Sequence, residues 1–71
     1  MSRPETLHRV LAAVQAFTRE HGRAPSLNEL TNMTGLARST VWYALNTLRR
    51  DYGYVRWEKR REGTLRVTER Y

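Results

Sequence analysis

Two short runs, nearly adjacent, set the limits on what this chain can fold into. SLNEL, Ser26–Leu30, places a serine and a glutamate three residues apart, the spacing at which cap and N3 side chains satisfy each other's backbone N–H groups. Leu27, Leu30 and Met33 follow as the expected inward side of a short helix that Gly35 closes. After only three or four residues, TGLARSTVWYALNTLRR carries Val41, Leu45, Leu48 and Tyr52 on nearly one bearing of a 3.6-residue period. Ser39, Tyr43, Asn46 and Arg50 fall on the opposite side, with Trp42 and Thr47 on the flanks. Two short helices joined by a tight glycine-containing turn make a helix-turn-helix.

The flanking segments complete one small domain over residues 1–71. Ser2 and Glu5 again have capping-box spacing, with Pro4 in the first turn, and Leu7, Val10, Leu11, Val14 and Phe17 recur at helical intervals. His21-Gly22 ends that helix, and Arg23-Ala24-Pro25 reads as extended because the residue before a proline is pushed out of the α region. Beyond Gly53, Tyr54–Glu58 and Thr64–Thr68 alternate apolar and polar residues, as half-buried strands do, around the basic turn KRREG. The expected fold is mainly α with a small β-hairpin. Its helices span about 3–21, 27–34 and 38–52, and its hairpin about 54–69.

A chain of 71 residues buries only about 60% of the surface its unfolded form exposes, so one modest core is expected. Without cysteine there are no disulfides and no thiolate metal sites. No apolar run approaches a membrane span, and MSRPETLHRV is too polar for a signal peptide, so a cytoplasmic protein is expected. The net charge is +6, and twelve of the thirteen basic residues are arginine. Residues 1–35 hold four arginines against three glutamates, whereas residues 36–71 hold nine basic residues against four acidic ones. That skew toward the C-terminal half favours a polyanionic partner, which arginine forks suit.

The outward side of the third helix has the chemistry of a reading surface. Arg38 or Arg50 would bond guanine O6 and N7 as a fork, and Asn46 would pair with adenine N6 and N7. Ser39, Thr40 and Thr47 suit phosphates, and Tyr43 suits a thymine methyl or a phosphate. Each is also an ordinary polar surface residue if no partner meets it. Trp42 is expected to pack against the first helix or the hairpin, with a dimer contact or stacking surface as the alternative. Trp57, alternating with Val55, reads as inward. In the turn, Lys59, Arg60 and Arg61 are consecutive, so at least two face solvent; Arg56 and Arg66 occupy polar strand positions.

Catalysis finds little support. His8 and His21 lie thirteen residues apart without convergent acids and read as exposed helix residues, the carboxylates are scattered, and Ser39 has no base near it in sequence. No cofactor and no metal are expected.

The order of elements, together with Gly35-Leu36, Arg38-Ser39-Thr40-Val41, Leu45, Leu48 and Gly53-Tyr54-Val55, resembles the winged helix-turn-helix DNA-binding domain. It is similar to MarR-type regulators and, through Pro25-Ser26, to the N-terminal domain of LexA-type repressors. The resemblance implies that the third helix enters the major groove, with Arg38, Ser39, Thr40 and Tyr43 facing it. It also implies that the hairpin is a wing on the backbone or minor groove, carrying Arg60 and Arg61. Ser26 and Asn28, at the start of the second helix, are expected phosphate contacts. Two departures stand out. Ala37 occupies the place where such domains often have serine as a cap, and Arg50-Asp51-Tyr52 is one residue longer than the usual stretch before the glycine.

The leading expectation is sequence-specific binding of double-stranded DNA in transcriptional regulation. Useful specificity would call for a homodimer, paired weakly or only on DNA, or for a longer protein around this domain. A second reading is a protein-interaction module that binds or inhibits a partner through the third helix and wing. A third is RNA or single-stranded nucleic acid.

Overall fold

The computed structural model describes residues 3–58 and 63–70. In chain order it contains α1 (Pro4–His21), α2 (Leu27–Thr34), α3 (Arg38–Thr47), a wide helical turn at Leu48–Tyr52, and the antiparallel pair β1 (Val55–Arg56) and β2 (Arg66–Val67). Three helices and a two-stranded sheet in this order make a winged helix-turn-helix.

α1 begins at the proline. Pro4 sits in the first turn and holds Arg3 extended (φ −74°, ψ 154°), so Arg3 occupies the cap position and its carbonyl accepts the Leu7 N–H at 3.0 Å. The expected Ser2–Glu5 capping box therefore does not define this start, and Ser2 lies outside the described residues. Leu7, Val10, Leu11, Val14 and Phe17 are all buried, as their spacing requires, and Ala13 joins them.

α2 has the capping box that SLNEL specifies. Glu29 N–H donates to Ser26 Oγ at 3.1 Å, and Ser26 N–H donates to Glu29 Oε1 at 2.9 Å. Leu30 is fully buried and Leu27 packs against the core, but Met33 is 44% exposed rather than inward. Three-residue steps drift about 60° each on a 3.6-residue helix, so by Met33 the side chain has left the core bearing. Thr34, seven residues after Leu27, is nearer that bearing and is half-buried. Its hydroxyl donates to the Leu30 carbonyl (2.7 Å) and accepts from Leu36 N–H (3.3 Å), which ties the turn into α2. Gly35 completes the turn at φ +71°, in the left-handed region where a side chain is strained.

α3 contributes Val41, Ala44 and Leu45 to the core, with Leu48 immediately after. From Leu48 to Tyr52 the chain forms a π-type turn with i→i+5 bonding, closed by Gly53 N–H on the Leu48 carbonyl. The residue that made this stretch one longer than usual is absorbed there. The widened turn also moves Tyr52 off the Val41–Leu45–Leu48 bearing: it is 46% exposed, stacked on Tyr54 (centroids 5.3 Å apart, planes 20° apart), and not in the core.

The strands are shorter than their alternation suggests. Among the described residues two on each side form the ladder, with Val55 opposite Val67 and Arg56 opposite Arg66. Thr68 N–H reaches the Tyr54 carbonyl at 2.8 Å, and the Thr64 hydroxyl accepts the Glu58 N–H at 2.9 Å. Val55 is buried in the core where β1 packs on the Leu48–Tyr52 turn, while Tyr54, Trp57, Leu65 and Val67 pack on the core's margin. β2 also packs on α1, so the hairpin is seated on the helices beside α3.

Candidate nucleic-acid interface

Two arginines near the start of α2 are held in opposite ways. Arg23, in the extended segment before α2, forms a fork with Glu29, Nη1 to Oε1 at 3.1 Å and Nη2 to Oε2 at 3.0 Å, and lies over the Phe17 ring at 4.8 Å. The Arg23 hydrogen bonds first, then the Ser26 N–H, hold the Glu29 carboxyl down at about 2. Arg38, the first residue of α3, instead donates Nη1 to the amide oxygen of Asn28 at 2.8 Å. Among the described residues Arg38 is in no ion pair, so its charge is oriented without being neutralised.

The solvent-facing side of α3 is largely as its spacing requires. Arg38, Ser39 and Arg50 are exposed, and Tyr43 is the most open large side chain at 65%. Thr40, Asn46 and Thr47 are half-buried. Asn46 donates its amide nitrogen to the Trp42 carbonyl at 2.9 Å, so its side chain lies back along the helix, and pairing with adenine requires it to swing out. Arg50 leans on Asp51 at 3.7 Å, a loose pair with both side chains open to solvent. Ala37, the cap residue, makes no side-chain bond, and the first turn of α3 holds no acid.

Trp42 is 48% exposed and faces the hairpin, its ring 6.1 Å from that of Trp57. It meets the hairpin side only in part and leaves an aromatic face open. Trp57 is half-buried and is covered by Arg49, whose guanidinium sits 4.6 Å from the ring centroid. An open cleft of about 620 Å³ runs between the start of α2, α3 and the hairpin base, with Asn28, Arg38, Trp42, Trp57 and Leu65 among its walls.

On the hairpin, Arg56 and Arg66 are exposed as expected. Lys59, Arg60 and Arg61 lie outside the described residues. Ser26 and Asn28 are both exposed at the start of α2, but each already has a partner there, Glu29 and Arg38 respectively. Sequence reasoning did not single out Arg49 or Arg23. The Arg23–Glu29 fork has a local signal, since a cation stands three residues before the capping box. The Arg49–Trp57 contact has none, because it joins α3's continuation to a hairpin eight residues on.

Among the described residues no helix is long and apolar enough to cross a membrane, and no three His, Asp or Glu side chains gather where a metal ion would be held. No curated protein matches the chain. The family model of the IclR helix-turn-helix domain matches residues 6–59, from α1 through the helix-turn-helix and β1. That match covers most of the chain and is to the IclR type rather than specifically to the MarR or LexA type. The protein belongs to the IclR-type helix-turn-helix family of DNA-binding domains, which serves transcription regulation.

Proposed function

We propose that the protein reads a specific sequence in double-stranded DNA as a transcriptional regulator, with α3 in the major groove and the hairpin against the backbone or minor groove. The observation that carries this is the outward side of α3. From Arg38 to Arg50, α3 and the start of the turn after it hold no carboxylate, and they present Arg38, Ser39, Tyr43 and Arg50 to solvent. The major groove, about 12 Å wide, admits one such helix. Arg38 and Tyr43 are best placed for base contact, and Asn46 joins them once it swings out. Ser39, Thr40 and Thr47 serve phosphates, as do the wing residues Arg56, Lys59, Arg60, Arg61 and Arg66 and, at the start of α2, Ser26. One helix and one wing touch few base pairs, so a homodimer on half-sites about 34 Å apart would supply the specificity a regulator needs.

A second reading rests on the open faces of Trp42 and Tyr43, which suit the core of a protein interface. Selection from a random pool of duplexes at physiological salt, followed by titration on the enriched sequence, separates the two. An enriched motif, palindromic for a dimer, supports DNA reading. Weak, salt-sensitive binding without enrichment overturns it and leaves the aromatic side of α3 to a protein partner.

A further inference from the structure

We infer that Asn28 is a positioning residue for Arg38, and that the pair, rather than Arg38 alone, sets the base preference at one position of the DNA site. This rests on the α3-in-groove reading above. Four observations bring the two residues together. The Asn28 amide oxygen accepts from Arg38 Nη1 at 2.8 Å, joining the second residue of α2 to the first residue of α3. Asn28 is neutral, so the guanidinium keeps its full charge, whereas Arg23 nearby is forked to a carboxylate. Both Asn28 and Arg38 are exposed, so the bond is not there to satisfy buried groups. Finally, Arg38 is a cation in the first turn of a helix with no capping side chain and no acid, where the macrodipole disfavours positive charge. A local choice that works against helix stability is the kind found where a sequence serves function.

The physical role follows from side-chain entropy. An arginine free in solvent loses its rotamer freedom when it forks onto a guanine. One already held at Nη1 has lost part of that freedom in the unbound protein, and its Nε and Nη2 edge remains open to the base. Asn28 therefore acts on discrimination between bases, through Arg38, and not as an independent phosphate ligand.

The test is a double-mutant cycle on the enriched duplex and on duplexes changed at each position, using the full chain. Arg38→Ala is expected to lower discrimination at one base pair by about ten-fold or more. Asn28→Ala is expected to lower it at the same base pair by about two- to ten-fold, and to add nothing further in the Arg38→Ala background. Asn28→Asp keeps the acceptor, so it retains the base preference even while its charge weakens binding to all duplexes alike. Each variant is at an exposed position, and thermal melting checks that the fold is kept. If Asn28→Ala weakens every duplex equally and additively with Arg38→Ala, Asn28 is a phosphate contact and the inference is overturned. It is overturned too if Arg38→Ala leaves base preference unchanged, although an enriched motif would still stand for sequence reading. If the wild-type chain enriches no motif, the DNA reading itself falls and takes this inference with it.

Discussion

Arg56 and Arg66 stand directly opposite each other across the β1–β2 pair, both exposed, and among the described residues neither is in an ion pair. Like charges at opposed positions of an antiparallel pair repel, and a ladder of two residues per strand has little else to offset the cost. The arrangement makes sense beside a polyanion. Arg66→Glu should convert the repulsion into a cross-strand pair and raise the stability of the free protein by about 0.2–1 kcal/mol. The same change should weaken DNA binding for every sequence and make the slope of log affinity on log salt shallower. Urea melts and salt titrations of this variant are the measurements. A gain in stability with no loss of affinity would remove Arg66 from the interface.

The Arg23–Glu29 fork predicts an acid limb in the stability curve. Glu29 titrates near 4.5 when unpaired and is held down at about 2 in the folded chain, by Arg23 first and Ser26 N–H next. A carboxyl with a depressed folded value stabilises above its unfolded value and loses that contribution as pH falls toward the folded one. The Glu29 share is therefore fully present above about pH 5 and declines between 4.5 and about 2. Replacing Glu29 with Gln should lower the melting temperature at neutral pH and flatten its fall across that window. Parallel curves for the two proteins would show that other carboxylates carry the acid limb.

Arg49 over Trp57 joins the end of α3 to the hairpin, and it should be visible in fluorescence. With Trp42→Phe as background, Trp57 is the single tryptophan, and excitation at the red edge selects it over the tyrosines. Arg49→Ala should then shift its emission to the red, as solvent reaches the uncovered ring face, and cost roughly 0.5–1 kcal/mol of stability. If both the emission and the denaturation midpoint stay put, the guanidinium does not cover the ring in solution.

These contacts mark where the sequence was readable and where it was not. The SLNEL cap, the glycine stops and the buried side of α1 follow from spacings of three to seven residues, and the structure has them. So does the Val41–Leu45–Leu48 side of α3. Met33 and Tyr52 failed for one reason: an inward bearing was carried past the point where drift, or a widened turn, rotates it away. The spare residue before Gly53 was legible as a length anomaly, but its resolution as a π-type turn depends on where Leu48 and Gly53 must end. Strand length in the hairpin depends on what the helices leave uncovered, which alternation does not encode. The Asn28–Arg38 and Arg49–Trp57 contacts join different elements. Their residue types were legible; their meeting was not.

Ala37 offers the sharpest separation between fold and function. Its backbone (φ −64°, ψ 149°) is already in the extended conformation that Ser26 uses (φ −84°, ψ 167°), so a capping side chain placed there needs no rearrangement. Ala37→Asp should accept one of the free N–H groups of the first turn and complement the helix dipole, adding about 1 kcal/mol. In a domain of this size that is a rise in melting temperature of about 4–8 °C. If the start of α3 approaches DNA, the same carboxylate faces phosphates and occupies the donors they would use, so affinity should fall for all duplexes while base preference is kept. Ala37→Ser, which caps without adding charge, should give a smaller gain in stability and a smaller loss of binding. A stabilised Ala37→Asp protein that binds DNA as tightly as the parent would mean that the first turn of α3 points away from the backbone, and the docking of α3 would have to be redrawn.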